Sequence, residues 1–375
     1  MRVLIAGGGT GGHFYPALAV IEEFERHASK VKLGYVGTKR GIEARVLPSY
    51  RHVSFFRIHV RGLKRNNFLQ NLGAFILLGI SFLETMTVFL RFRPNVVIGM
   101  GGYSSFPAVF IASLFGKVLP VRTVIHEQNA LAGLTNRFLG HFVDKVLVSY
   151  PQTRSQFSSA RKVVVTGNPI RSEFFLARRT PETYNRFNLY PDKKTVLIFG
   201  GSNGSSALTS AVRHEALEIS KRTDIQVLLV TGRDQDTSTL ELEFAAAGIK
   251  NIAVKTYIKS MGEAFAIADL VVSRAGASSL AEITSCGKPS ILIPWKEAAD
   301  GHQEANAQVL KVSNACEIMD ESELGNHQLA QLIEEMVQDK EGLRLMARRA
   351  VYMGAKHAAA SMLGEIVGLV EGAKT

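Results

Sequence analysis

The stretch Ala6-Gly7-Gly8-Gly9-Thr10-Gly11-Gly12-His13 follows the apolar run Val3 to Ile5 and leads into "FYPALAVIEEF", where Leu18, Ile21 and Phe24 recur at helical spacing. It reads as a strand, a glycine turn and a helix start. Backbone N–H groups converge at such a turn and the helix dipole adds to them, so the place suits an anion. Gly7, Gly9 and Gly12 fit G-x-G-x-x-G, the dinucleotide fingerprint, yet the next strand, "KVKLGYVG", runs into Thr38-Lys39-Arg40 with no carboxylate for a ribose diol. Gly7 and Gly12 also fit the Walker A spacing, but His13 stands where that loop has Lys and Phe14 where it has Ser or Thr. ATP hydrolysis is disfavoured without that lysine. What remains is a glycine loop with an imidazole at its mouth.

The same unit recurs. "VLIAGGGTGGHFYPALAV" from Val3 and "VLIFGGSNGSSALTSAV" from Val196 are both strand, glycine turn and helix. The match predicts two similar α/β domains, each opening its own parallel sheet. Further strands are predicted at "NVVIGM", "VRTVIHE" and "KVLVSY" in the first half, and at "QVLLVTG", "IAVKTYI", "LVVSRAG" and "SILIPW" in the second. The proline- and charge-rich segment Gly167 to Lys194 is the predicted connection.

A chain of 375 residues, 46% apolar and 21% charged, has room for two cores. Its net charge of +11 favours anionic partners, and no RNA-binding or helix-turn-helix signature points to nucleic acid. Cys286 and Cys316 are isolated and fit no metal spacing. Only four apolar residues stand between Arg2 and the first glycines, too few for a signal peptide, so a cytosolic protein is expected. Leu72 to Arg93 is apolar nearly all round but broken by Ser81, Glu84, Thr85 and Thr87, which favours a buried or interfacial helix over a spanning one. Arg57, Arg61, Lys64, Arg65, Arg91 and Arg93 flank it.

Four glycine- or serine-rich loops end strands: "GGGTGGH", "GMGGYSSFP", "FGGSNGSS" and "SRAGASSLAE". That is more phosphate-loop material than one cofactor needs, and it suits a nucleotide together with a second phosphorylated molecule. Glu282, early in the last helix, either accepts both hydroxyls of a ribose or complements the helix dipole. Gln303 and Asn306, three apart at a helix start, either meet a hydroxyl-rich sugar or cap the helix. Asp234-Gln235-Asp236 is formally D-x-D, but three-residue motifs arise by chance and no metal is assigned to it.

In order along nearly the whole chain, "GGGTGGHFYPALA", "GMGGYSSFPA", "HEQNALAGLTNRFL", "GNPIR", "GGSNGS", "RAGASSLAE" and "GHQEANA" closely resemble the motifs of the MurG family. Members of that family are the N-acetylglucosaminyltransferases that make lipid II in bacterial peptidoglycan synthesis. The resemblance implies a GT-B fold, two Rossmann-like doubly wound α/β domains facing a cleft. Residues 1–166 would bind the acceptor and meet the membrane, 167–345 would bind UDP-GlcNAc, and 346–375 would form a helix returning to the first domain. It also implies inverting transfer of GlcNAc from UDP-GlcNAc to the muramyl 4-hydroxyl of lipid I. The enzyme would sit peripherally on the anionic cytoplasmic face of the plasma membrane, with room for other cell-wall synthesis proteins as partners. No cofactor and no strictly required metal is expected.

Carried over position by position, donor binding falls on Thr10, Gly11, Gly12, Asn129, Arg171, Ser202 as a phosphate contact, and Ile258 through its backbone to uracil. It continues through Ala277, Ser278, Ser279, Leu280, Ala281 and the ribose-binding Glu282 to Gln303 at the GlcNAc hydroxyls. Acceptor binding falls on Gly9, Gly102, Tyr103 and Glu127, with the opening glycines suited to the lipid-linked diphosphate. His13 would take the proton from the attacking hydroxyl, or else only hydrogen-bond the loop in place. His302 and Asn203 stand where other members have Gln. Competing readings are a GT-B enzyme that moves a UDP-sugar to another lipid, a UDP-GlcNAc 2-epimerase, and a non-enzymatic nucleotide-binding module. The apolar segment with its basic flanks argues against the epimerase, whose substrate is soluble.

Overall fold

The computed structural model describes residues 1–27, 30–62, 68–158, 162–233 and 237–372. Lys64, Arg65, Asp234 and Asp236 lie outside the described residues. The chain forms two compact units, Met1–Arg171 with Lys356–Thr375, and Ser172–Ala355. These breaks stand at Arg171 and Ala355, where the sequence-based borders are at 166 and 345.

In the first unit, β1 (Arg2–Ala6), β2 (Lys32–Thr38), β3 (Val53–Ile58), β4 (Val96–Gly99), β5 (Arg122–Glu127), β6 (Lys145–Val148) and β7 (Val163–Val165) form one sheet in the order β3-β2-β1-β4-β5-β6-β7. Every pairing is parallel. A parallel sheet is covered on both faces, so its inner strands read as unbroken apolar runs. Val3 and Ile5 of β1 join one core, with Phe14, Leu18 and Ile21 of the helix Gly11–His27. Leu4 and Ala6 join the other, with Val88, Phe89, Val109 and Ala112. Met362, Ile366 and Val370 of the last helix, Ala358–Glu371, complete the first core, and Lys145 Nζ donates to Glu365 Oε2 at 2.6 Å beside it.

The second unit repeats the plan with β8 (Lys194–Phe199), β9 (Ile225–Val230), β10 (Ile252–Lys255), β11 (Leu270–Ser273), β12 (Ser290–Leu292) and β13 (Glu317–Ile318), ordered β10-β9-β8-β11-β12-β13. All are parallel.

The apolar segment forms the helix Phe68–Phe92, with its polarity reversed. Ser81 and Thr85 are buried, and Ser81 Oγ donates back to the Leu78 carbonyl at 2.7 Å. Leu72, Phe75, Ile76, Ile80, Leu83 and Leu90 are exposed, Leu83 to 73%. Ser81 and Thr85 therefore face inward, Glu84 is half-buried and Thr87 exposed, while these six large apolar residues face outward. By length and composition Asn71–Phe92 is long enough to cross a membrane, and about a fifth of it (22%) is buried. Phe82 packs on Phe106 and Phe110, and these on Phe138 and, through Phe110, Phe142. Phe138 and Phe142 are themselves exposed and extend the apolar surface.

Candidate active site

In each sheet the strand order reverses at one place, between β1 and β4 and between β8 and β11. Ligands of open α/β sheets bind beyond the carboxyl ends of the strands at such a switch point. Ala6 pairs with Gly99 and Phe199 with Ser273, so the strand ends lie side by side. The loops leaving them are the four glycine- and serine-rich segments.

At the first switch point, His13 lies in the opening turn of the helix Gly11–His27, with its ring against the loop after β4. Gly101 and Gly102 have φ of +90° and +73°. A Cβ on Gly101 would stand 2.9 Å from His13 Nδ1, and one on Gly102 3.1 Å from its Cδ2. Both glycines are needed for backbone conformation and for the close approach of the imidazole. Gly102 thus shapes the seat of His13.

The glycine loop holds an internal anion. Glu43, fully buried, accepts from Gly9 N through both carboxylate oxygens at 3.3 and 3.1 Å, and from Thr38 N and Thr38 Oγ1, each at 2.8 Å. A Cβ on Gly8 or Gly41 would run into this carboxylate, and one on Gly37 would come within 2.6 Å of its Cγ. The acid missing from the end of β2 therefore stands five residues on from Thr38, turned into the loop. The Gly9 N–H, in the loop expected to suit the acceptor diphosphate, is committed to Glu43. Tyr103 lies beside Gly9, and burial, with the Glu43 charge nearby, raises its phenol pKa.

"HEQN" closes the site at the end of β5. His126 is fully buried, with Nε2 2.9 Å from the Gly167 carbonyl. Gln128 Nε2 donates to the Met100 carbonyl at 2.8 Å and lies 3.0 Å from His126 Nδ1, while its Oε1 lies 3.1 Å from His13 Nδ1. Glu127, expected to meet the acceptor, is buried. It accepts from Asn129 N and Nδ2, Gly133 N and Asn136 Nδ2 at 2.8 to 3.1 Å. Its carboxylate organises the turn into the helix Leu134–Leu139, the donors outbidding any exposed position for it. Thr10, Gly11 and Gly12 open the first helix beside these groups, and Arg171 sets its guanidinium 4.2 Å from the centre of the Tyr15 ring.

At the second switch point, Gly201 and Gly204 have φ of +85° and +75° and carry the exposed Ser202 between β8 and the helix Ser206–Ser220. Arg274, buried, donates to Ser205 Oγ at 3.1 Å, the Ile293 carbonyl at 3.2 Å and Glu321 Oε1 at 2.6 Å, bracing the loops after β8, β11, β12 and β13. Ala277, Ser279, Leu280 and Glu282 are buried in the helix Ala277–Ser285, while Ser278 and Ala281 are half-buried. The Leu280 side chain is core, which leaves backbone as its means of meeting a ligand. Ile258 is buried in the loop after β10. Gln303 Oε1 accepts from Trp295 N at 3.0 Å. Asn306 is fully buried and donates to the Ala275 carbonyl at 3.2 Å, so it pins the loop after β11. Glu43, Gln128 and Arg274 were missed in the sequence. The one local signal was the cluster of Gly37, Thr38 and Gly41 around Glu43. Among the described residues no three His, Cys, Asp or Glu are grouped to hold a metal ion.

Residues 3–148 match the model of the glycosyltransferase family 28 N-terminal domain, and residues 195–362 that of its C-terminal domain. A UDP-N-acetylglucosamine--N-acetylmuramyl-(pentapeptide) pyrophosphoryl-undecaprenol N-acetylglucosamine transferase of Bacillus licheniformis is 40% identical over 377 residues, all of both chains. A crystal structure of Acinetobacter baumannii MurG superposes with a TM-score of 0.72 at 26% identity, over 98% of this chain and 99% of that one. A UDP-GlcNAc 2-epimerase from Neisseria meningitidis, 14% identical with a TM-score of 0.68 over 98% and 100% of the two chains, shares the fold.

Proposed function

The chain belongs to glycosyltransferase family 28, and from that premise we propose that it moves N-acetylglucosamine from UDP-N-acetylglucosamine to the muramyl 4-hydroxyl of lipid I, giving lipid II for peptidoglycan synthesis. The observation that carries this reading is the coincidence of four glycine- and serine-rich loops with the switch points of two doubly wound sheets. Two seats for phosphorylated ligands suit a nucleotide-sugar donor and a pyrophosphoryl acceptor. The transferase name of a relative matching over the full length supports the choice of substrates.

On this reading the new bond joins the muramyl O4 to C1 of GlcNAc, with inversion, as the bond from C1 to the UDP oxygen breaks. The electron pair leaves with UDP, and the hydroxyl proton goes to His13 Nε2. Ser202 and the N-terminus of the helix Ser206–Ser220 hold the departing diphosphate, so chelators should leave substantial activity. Glu282 takes the ribose and Gln303 the sugar hydroxyls. Tyr103 and the Gly102 loop meet the acceptor, whose diphosphate cannot draw on the Gly9 N–H without displacing Glu43. The exposed apolar face of Phe68–Phe92, edged by the exposed Arg57, Arg61, Arg91 and Arg93, supports peripheral attachment to the anionic cytoplasmic membrane face.

Product analysis tests the reading. With UDP-GlcNAc and a short-chain lipid I analogue the expected products are the disaccharide lipid and UDP. Conversion of UDP-GlcNAc to its 2-epimer without acceptor, or transfer to diacylglycerol in place of the analogue, would overturn it.

A further inference from the structure

Beyond the end of β5 runs a chain of hydrogen bonds whose direction is dictated by backbone carbonyls, groups that only accept. His126 Nε2, 2.9 Å from the Gly167 carbonyl, must carry a hydrogen. Burial holds the His126 pKa down to about 4, so its ring is neutral and the lone pair is on Nδ1. Gln128 Nε2 lies 2.8 Å from the Met100 carbonyl, 3.0 Å from that lone pair and 3.3 Å from the His126 carbonyl, all of them acceptors for its two hydrogens. Turning the amide over would set an oxygen against all three. Gln128 Oε1 therefore faces His13 Nδ1, 3.1 Å away, and can only accept from it.

We propose that Gln128 is a positioning residue that fixes His13 in the Nδ1–H tautomer and so reserves Nε2 as the atom that can receive a proton. Which ring nitrogen of a histidine is free follows from the bond the other one makes. The backbone of Gly101 and Gly102 packed on the ring holds that orientation, since even a methyl group at either position would press on it. An amide oxygen suits this task better than a carboxylate. It orients the neutral ring without the negative charge that would hold the proton on the imidazole after transfer.

The catalytic consequence rests on the reading of His13 as the base, whereas the tautomer does not, and the test separates them. In the full chain labelled with nitrogen-15 histidine, long-range proton–nitrogen correlation spectra show which ring nitrogen is protonated, and His13→Asn identifies the signals. The wild type should show His13 Nδ1 protonated and Nε2 bare. Gln128→Met, close in volume and without an acceptor, should give a mixture of tautomers and lower kcat by about tenfold with UDP affinity unchanged. An Nε2–H ring in the wild type overturns the proposal even if no variant folds, as does an unchanged Nδ1–H ring in folded Gln128→Met. A tautomer that follows Gln128 while kcat stays unchanged upholds the proposal and removes His13 as the base.

Discussion

The backbone N–H of Gly9 donates to both carboxylate oxygens of Glu43, a buried anion seated inside the opening glycine loop. Glu43→Ala strips partners from Gly9 N and Thr38 N, and a buried donor left unpaired costs about 1–3 kcal/mol. The first unit should lose roughly 3 kcal/mol, measured by hydrogen exchange of β1 and β2 amides, and acceptor KM should rise as the loop loosens. Tighter acceptor binding in Glu43→Ala would mean that the carboxylate occupies a seat the ligand diphosphate takes.

Glu282 is buried in the helix after β11. If it holds the ribose diol it makes one or two charge-assisted bonds, so Glu282→Ala should weaken UDP binding by roughly 1.5–3 kcal/mol, or about 10- to 150-fold. Calorimetry with UDP reads this directly. Equal affinity in a folded variant would return Glu282 to the role of a helix-dipole partner.

The inner strands and the four loops were legible because both signals are local. Strands buried on two faces read as unbroken apolar runs, and glycine at a strand end marks a turn into a helix. The edge strands β3, β7 and β13 were not predicted. β3 is buried only at its ends, Val53 and Ile58, and so shows neither an unbroken apolar run nor strict alternation, while β7 has three residues and β13 two, too short to carry a period. The site was legible as loops but not as contacts. Gly9 and Glu43 are 34 residues apart and His13 and Gln128 are 115 apart, so only the folded sheet brings them together. Helical spacing put Gln303 and Asn306 on one face but could not tell that Asn306 is inside.

His13 is the sharpest test of the chemistry. A proton taken in the transition state makes the interaction a kcat effect, so His13→Ala should lower kcat roughly 10²- to 10⁴-fold and leave UDP affinity nearly unchanged. His13→Asn can still donate to Gln128 Oε1 but is no base near neutral pH. Near-normal kcat in His13→Asn would remove the base role. The neighbours offer no substitute, since His126 and Glu127 are buried with their polar atoms engaged.

The outer face of Phe68–Phe92 predicts binding to lipid. Replacing the exposed Ile76, Ile80 and Leu83 by Ser should reduce flotation with anionic vesicles while leaving turnover of a water-soluble acceptor analogue unchanged. Raised salt should weaken binding by screening the exposed arginines. Equal, salt-insensitive partitioning to neutral and anionic vesicles would remove the electrostatic part.

His126 links the site to pH. Burial is the chief cause of its pKa falling from the ordinary 6.5 to about 4, with the His13 charge adding to it and the Gly167 carbonyl and Glu127 opposing. Between those values the unfolded chain binds a proton that the folded chain does not. Stability is therefore full above pH 6.5, falls as pH drops from 6.5 towards 4, and loses no more on this account below. The whole window is worth about 3 kcal/mol in the first unit. His126→Gln can donate to the Gly167 carbonyl and accept from Gln128 without titrating, so its stability should vary less with pH by about that amount. The single tryptophan, Trp295, lies in the second unit, so hydrogen exchange of the β5 amides from pH 4.5 to 7 is the suitable probe. Parallel curves for wild type and His126→Gln would show that other groups carry the pH dependence and that the His126 imidazole titrates alike in both states.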